Sequence, residues 1–411
     1  MTDNSIHMHP KGFLAFWQRY NLSTLFFAYA AISIIAACQG YFAGPKTYVP
    51  GGHPYTDYNN YVIFKYAFFH LAQGKDIYLA FPADHWDYYK YSPAFALCFG
   101  LLAWMPNLPG LICWDLANSL LLFAGIRLLP GLSAGRKSWI LLFCLLELLT
   151  SVQNSQSNGL MAGLIILGFA LAERSKYFLA ALCIACSFYV KLYGGLAFLL
   201  FLFYPGRLKL AGWSVFWMVV LAILPLAVVD PHQLIFLYKS WKNTVSSDHS
   251  VVTGISLMGI LQSVFDPGIP KDLIALAGLI LYLLPLIHIR HYRDYPFRVL
   301  YLASTLVFLV VFNHRSESAT FIIAMSGIGI WYFSQPPNRF NLTLLVLSFL
   351  LVTMSVSDLV PASVRRDIIN PYAIKALMPT LIWCRILYQQ LFLRYTPAFP
   401  TQTPTPTPIP T

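Results

Sequence analysis

About a dozen apolar stretches fill most of this chain, several of them fused or broken by a single polar residue. Such runs leave little polar surface for water, so the chain is built for a bilayer and its chemistry must sit where polar residues interrupt them. Hydrophobic residues make up 58% of the 411 and charged residues 10%, a balance that excludes a soluble domain. A helix that crosses the hydrocarbon core needs ~20 mostly apolar residues. Ser23–Phe42, Pro109–Leu129, Ala211–Val229, Leu273–Ile289 and Asn341–Ser357 satisfy this alone, whereas Gly159–Ala172 and Tyr177–Val190 need a tilted or tightly packed bundle.

Spans at 23–42, 109–129, 137–151, 159–172, 177–190, 192–204, 211–229, 271–289, 298–313, 318–333, 341–357 and 374–393 make twelve, which puts both termini in the cytoplasm. The expected fold is all-α: a polytopic transmembrane bundle over 23–395, with a cytoplasmic segment at 1–22 and a disordered Thr/Pro tail at 396–411. Lys and Arg set the orientation. Lys11, Arg19, Arg127, Arg136, Lys137, Arg174, Lys176, Arg290 and Arg293 fall in inner segments, which carry the whole formal net charge of +11, while the outer segments are close to balanced. The basic character therefore reports topology and contact with anionic lipid at the inner face of a cell membrane, and nucleic acid is not an expected partner. The first apolar run has no small-residue cleavage site behind it and is expected to stay as the first span. Seven cysteines lie mostly in apolar runs, and Cys183 and Cys186, though spaced C-x-x-C, read as small packing residues.

Residues 43–108, between the first and second spans, are neither apolar enough to cross nor polar enough for a simple loop. A turn-rich lead, Gly51 to Tyr58, enters a run in which Tyr58, Tyr61, Val62, Lys65, Tyr66, Phe69 and His70 recur at three- and four-residue steps. That spacing predicts an aromatic amphipathic helix along the outer membrane face. Ala94–Trp104 is short for a span and predicts a second surface helix. Asp57 stands where turn becomes helix, as a helix cap, as a general base at the membrane boundary, or as both.

Four further clusters fall on the same outer side. Ser151–Gly159 offers the amides and hydroxyls of Asn154, Gln156 and Asn158, which suit sugar hydroxyls as well as an ordinary polar hairpin. Lys191 lies between two short spans, as a functional cation or a snorkelling one. Asn313-His314-Arg315-Ser316-Glu317-Ser318 packs a base, a cation and an acid into one turn, either as a site or as a local ion pair. Asp115 and Glu147, near outer span ends, read first as internal hydrogen-bonding groups.

Taken in order, these segments resemble glycosyltransferase family 87, polytopic enzymes of the GT-C superfamily that use polyprenyl-phosphate sugars. The resemblance runs over roughly residues 20–330 and rests on several short elements together. Asp57-Tyr58 opens the outer helix, Gly74-Lys75-Asp76-Ile77-Tyr78 is similar to the family's G-x-[DN]-x-Y, and Tyr91-Ser92-Pro93-Ala94-Phe95 to its Y-x-P-x-h. Trp114 to Asn118 is similar to W-x-x-x-N, Asn154 to Asn158 to N-G-Q-x-N, and Lys191-Leu192-Tyr193 to K-x-[YP]. Ser155 stands where that pattern has Gly, and His314 or Glu317 fills its late polar position.

The resemblance implies a mannosyltransferase-like hexosyltransferase whose partners are a polyprenyl-phosphate-linked sugar, a glycan or glycolipid acceptor and membrane lipid. On that reading Asp57 is the base, Lys191 and Arg315 hold the donor phosphate, and Asp76, Tyr91, Asn154, Gln156, Asn158, His314 and Glu317 line the substrate site. Cations at the phosphate stabilise the charge that grows there as the glycosidic bond breaks, and direct displacement inverts the anomeric centre. There is no D-x-D and no glycine-rich phosphate loop, so the sequence assigns no cofactor and no metal ligand, with a divalent metal left open. The alternative is a transporter or flippase of a lipid-linked saccharide, which twelve spans suit equally, although no inverted repeat is apparent.

Overall fold

The computed structural model describes residues 13–48, 52–247, 254–356 and 360–392, and these are almost entirely helical. The Thr/Pro tail and Lys11 lie outside the described residues. Helix α1 (Phe13–Phe42) leads into an antiparallel hairpin, β1 (Pro45–Thr47) with β2 (Pro54–Thr56), that sets Lys46 opposite Tyr55. Then come α2 (Asn59–Ala72), α3 (Pro93–Ala103), α4 (Asn107–Arg127), α5 (Ala134–Gln153), α6 (Asn158–Ala172), α7 (Tyr177–Val190), a 3₁₀ helix (Leu192–Phe203) and α8 (Arg207–Ile223). The chain continues through α9 (Pro231–Ser247), α10 (Leu257–Val264), α11 (Lys271–Leu283), α12 (Tyr295–Val311), α13 (Phe321–Phe333), α14 (Arg339–Ser348) and α15 (Leu377–Phe392). Within the described residues, each of the twelve apolar segments read from the sequence is mostly helical. Among the described residues, three helical stretches are both long and apolar enough to cross a membrane: Asn21–Phe42, Asn107–Arg127 and Arg207–Ala227.

Local chemistry explains the boundaries. Ser92 accepts a hydrogen bond from the Phe95 N–H with Pro93 behind it, so α3 starts there; Ser133 and Asn338 cap α5 and α14 in the same way. Pro225 and Pro285 cannot donate to a helical ladder, and at each the helix tightens into a 3₁₀ turn. Small residues set the closest packing. Gly159 and Gly163, four apart on α6, bring it against the α4 backbone, and a methyl at Gly163 would stand 2.6 Å from the Leu121 carbonyl carbon.

Hydrogen bonds between helix termini define two ends of the bundle. At one end Lys137 donates to the Arg127 carbonyl, Arg136 to the Phe333 carbonyl, and Arg298 holds Glu173 through two bonds at 2.6 and 2.9 Å. At the other, the start of α4 and α6 meets the close of α5 and α7 and the turn between α12 and α13. The hairpin, α2, α3 and α9 belong to this second end, which carries the candidate site.

One expectation needs correction, and one helix was not expected. The first surface helix, α2, presents no free apolar face: Tyr61, Phe64, Ala67 and Leu71 are buried, and the Phe64 ring packs edge-on against Tyr91, Phe95, Phe99 and Trp114. Its aromatic spacing reflects burial within the helical body, where edge-to-face rings fill space between α2, α3 and α4. Between the segments read as spans at 211–229 and 271–289, where the sequence was assigned no element, lies α9, whose Leu234, Leu237 and Trp241 turn inward at helical spacing and whose Trp241 indole donates to the Lys90 carbonyl.

Candidate functional site

The turn between α5 and α6 is held from α4. Trp114 Nε1 donates to the Ser155 carbonyl at 2.9 Å, and one turn later Asn118 Oδ1 accepts from the Leu160 N–H at 2.9 Å. The W-x-x-x-N spacing thus puts two hydrogen-bonding groups on one face of α4, aimed at the start of α6. Ser155 has φ of 49°, the left-handed region where glycine carries no strain, which accounts physically for Gly at this position in the family pattern.

Held this way, the turn presents a relay of amides. Lys191 Nζ donates to Asn158 Oδ1 at 2.7 Å, Asn158 Nδ2 to Gln156 Oε1 at 2.6 Å, and Gln156 Nε2 to Glu317 Oε2 at 2.7 Å. Four residues singled out from sequence, up to 161 positions apart, therefore form one connected chain. The Lys191 ammonium also lies over the rings of Tyr91 and Tyr193, at 5.9 and 5.8 Å from their centroids. The buried Tyr193 hydroxyl has no hydrogen-bond partner among the described residues. Glu317 additionally caps the turn into α13, and its charge acts on both Lys191 and Arg315.

Asp57 faces this relay across a cavity of about 560 Å³, lined among others by Lys46, Tyr48, Asp57, Asn60, Trp86, Asp87, Asn154, Gln156 and Glu317. Of the two readings of Asp57, the cap fails: Tyr58 holds the position before α2 and no side chain caps there. Asp57 pairs instead with Lys46 of β1, whose side chain is 58% exposed. Burial and the Asp57 carboxylate together raise the Tyr48 phenol above its ordinary pKa, so it stays protonated beside Asp57. Asn154 spans the gap, its carbonyl accepting from Asn60 of α2.

Asp76 is not among the residues lining this cavity. Its carboxylate accepts from Ser240 of α9 and from the Tyr78 N–H, which ties α9 to the preceding segment. His314 and Arg315 stand in the turn next to Glu317, and Gly254 approaches the His314 carbonyl so closely that a Cβ would be 2.5 Å away. Asp115 is fully buried in α4, and neither carboxylate oxygen has a hydrogen-bond partner among the described residues. Glu147 is buried too, but paired: Lys375 donates to it at 2.6 Å and to the Ser318 hydroxyl at 2.8 Å. Sequence reading missed Lys375 and Asp87. Asp87 lines the cavity at φ of 71° and takes hydrogen bonds from Lys90 and the Tyr88 N–H; a short acid in a Trp-Asp-Tyr turn was the signal.

The family model of glycosyltransferase family 87 matches residues 89–313, more than half of the chain. The chain belongs to glycosyltransferase family 87. The matched stretch of this family 87 glycosyltransferase holds Tyr91, the Asn154 to Asn158 turn and Lys191, and stops one residue short of His314, while Asp57 and Asp76 precede it. No curated protein matches the chain significantly. Among the described residues, no three His, Cys, Asp or Glu side chains are grouped as a metal site would need.

Proposed function

We propose that this protein transfers a hexose from a polyprenyl-phosphate donor to a glycan or glycolipid acceptor at the outer face of the cell membrane, with inversion. The observation that carries the reading is the shared cavity, in which Asp57 faces the end of a relay that begins at Lys191. Helices α6 and α7, of 15 and 14 residues, are about 22 and 21 Å long, shorter than the ~30 Å hydrocarbon core. A cation just past the C-terminal end of such a short helix, as Lys191 is past α7, suits a phosphate carried on a lipid. Lys191 and the unpartnered Tyr193 hydroxyl offer that phosphate donors, and Arg315 adds a second cation. The acceptor hydroxyl then loses its proton to Asp57 as it attacks the anomeric carbon, and the phosphate leaves toward the cations. Lys46, more than half exposed, is free to give way to that hydroxyl.

Two experiments bear on this. Lys191→Ala weakens binding of a polyprenyl-phosphate sugar by about 1.5–3 kcal/mol, the range for a charge-assisted hydrogen bond, and transfer falls with it. Lys191→Arg restores little, since a planar fork does not replace a compact ammonium seated against Asn158. Donor affinity equal to the parent in the Ala variant rules out the phosphate assignment. For orientation, cysteines placed at the exposed positions Lys75 and Asn154 react with an impermeant thiol reagent outside intact cells, above the background of the native cysteines, whereas one at Arg293 does not. Protection at Asn154 overturns the outward-facing site.

A further inference from the structure

The cavity has an aromatic wall that the transfer chemistry above does not use. Tyr48 and Trp86 stack with their planes 5° apart and their centroids 5.7 Å apart, and both line the cavity together with Asp57. Neither ring is tucked away: Tyr48 is 43% and Trp86 38% exposed. Exposed aromatic rings on a membrane protein commonly anchor at the lipid interface. These two differ from the exposed Trp104, because they border a polar cavity and one of them is fixed from within. Asn59 grips the Trp86 backbone from both sides, accepting from its N–H at 2.9 Å and donating to its carbonyl at 2.8 Å. Asp87 follows at once in a left-handed conformation that turns the chain at the cavity wall.

A pyranose has an apolar face of axial C–H groups and a rim of hydroxyls. A preset aromatic face beside carboxylate and carboxamide groups is complementary to that ligand, since the rings take the C–H face while Asp87, Asn60 and Gln153 meet the hydroxyls. We infer that Tyr48 and Trp86 form the acceptor subsite, where a hexopyranose of the glycan acceptor stacks with one hydroxyl directed at Asp57. This rests on the proposed transfer reaction and adds the class of acceptor to it. The side of the cavity toward Lys191 then takes the donor, and the aromatic side takes the sugar that receives it.

The test uses full-length protein in nanodiscs with methyl α-glucopyranoside, methyl α-galactopyranoside and methyl α-mannopyranoside as probes, read by saturation-transfer NMR without any donor. At least one binds, with saturation concentrated on its C–H face. Trp86→Ala weakens this about tenfold, Trp86→Phe regains most of it, and Trp104→Ala, which removes an exposed tryptophan elsewhere, changes nothing. In transfer assays the loss in Trp86→Ala appears in the acceptor KM rather than in kcat. The inference is overturned if no probe binds the parent, or if Trp86→Ala binds as the parent does. Its failure is distinguishable from failure of the donor reading: a parent that transfers the hexose from a polyprenyl-phosphate sugar without stacking a pyranose sinks only the subsite. A parent that stacks pyranosides through Trp86 but consumes no such donor sinks only the donor.

Discussion

Asp57→Asn lowers turnover by about 10²–10⁴-fold, the usual contribution of a positioned general base, while the protein still inserts and folds. The structure separates these two outcomes. Asp57 caps no helix, and its partner Lys46 is 58% exposed, so water screens the pair from that side and its contribution stays at about 1 kcal/mol. Asparagine keeps the shape of the side chain and its capacity to accept a hydrogen bond, but it cannot take up a proton. Thermal unfolding in detergent should therefore be unchanged within a degree or two while kcat collapses. Near-normal turnover in the asparagine variant removes Asp57 from the mechanism.

Lys375→Met produces the largest loss of stability. Lys375 and Glu147 are 1% and 0% exposed, and methionine leaves the Glu147 carboxylate buried without its cation. Breaking a buried pair from one side costs about 3–5 kcal/mol, because the remaining charge has neither water nor partner. The double variant Lys375→Met with Glu147→Leu should recover most of that loss, since an apolar pair fills the same space without stranding a charge. The detergent unfolding midpoint of the three proteins measures this directly. A single variant as stable as the parent shows that the pair contributes nothing. Lys375 also holds the Ser318 hydroxyl, so the single variant loosens the turn carrying Arg315 and Glu317 as well.

The sequence made the helices legible because apolar runs of this length have few alternatives in a bilayer, and within the described residues all twelve segments are mostly helical. It also brought out the polar relay: Asn158, Gln156, Glu317 and Lys191 were each visible as polar residues interrupting apolar runs. What it could not show was which of them touch, since a hydrogen bond from Gln156 to Glu317 spans 161 residues and leaves no local trace. Lys375 escaped for the same reason, its partner Glu147 being 228 residues away. Helix α9 was missed because its inward residues are diluted by Lys239, Ser240 and Lys242, so no continuous apolar run marks it. The cap reading of Asp57 failed on a matter of one position, with Tyr58 rather than Asp57 at the helix start.

The central claim is the donor, and it is tested by incubating purified full-length protein in nanodiscs with a synthetic polyprenyl-phosphate hexose and a glycan acceptor. Polyprenyl phosphate is expected to be released only with the acceptor present, the release to be lost in Asp57→Asn, and the transferred hexose to have inverted anomeric configuration. Consumption of a nucleotide sugar under conditions in which every polyprenyl-phosphate sugar tried stays intact would contradict it.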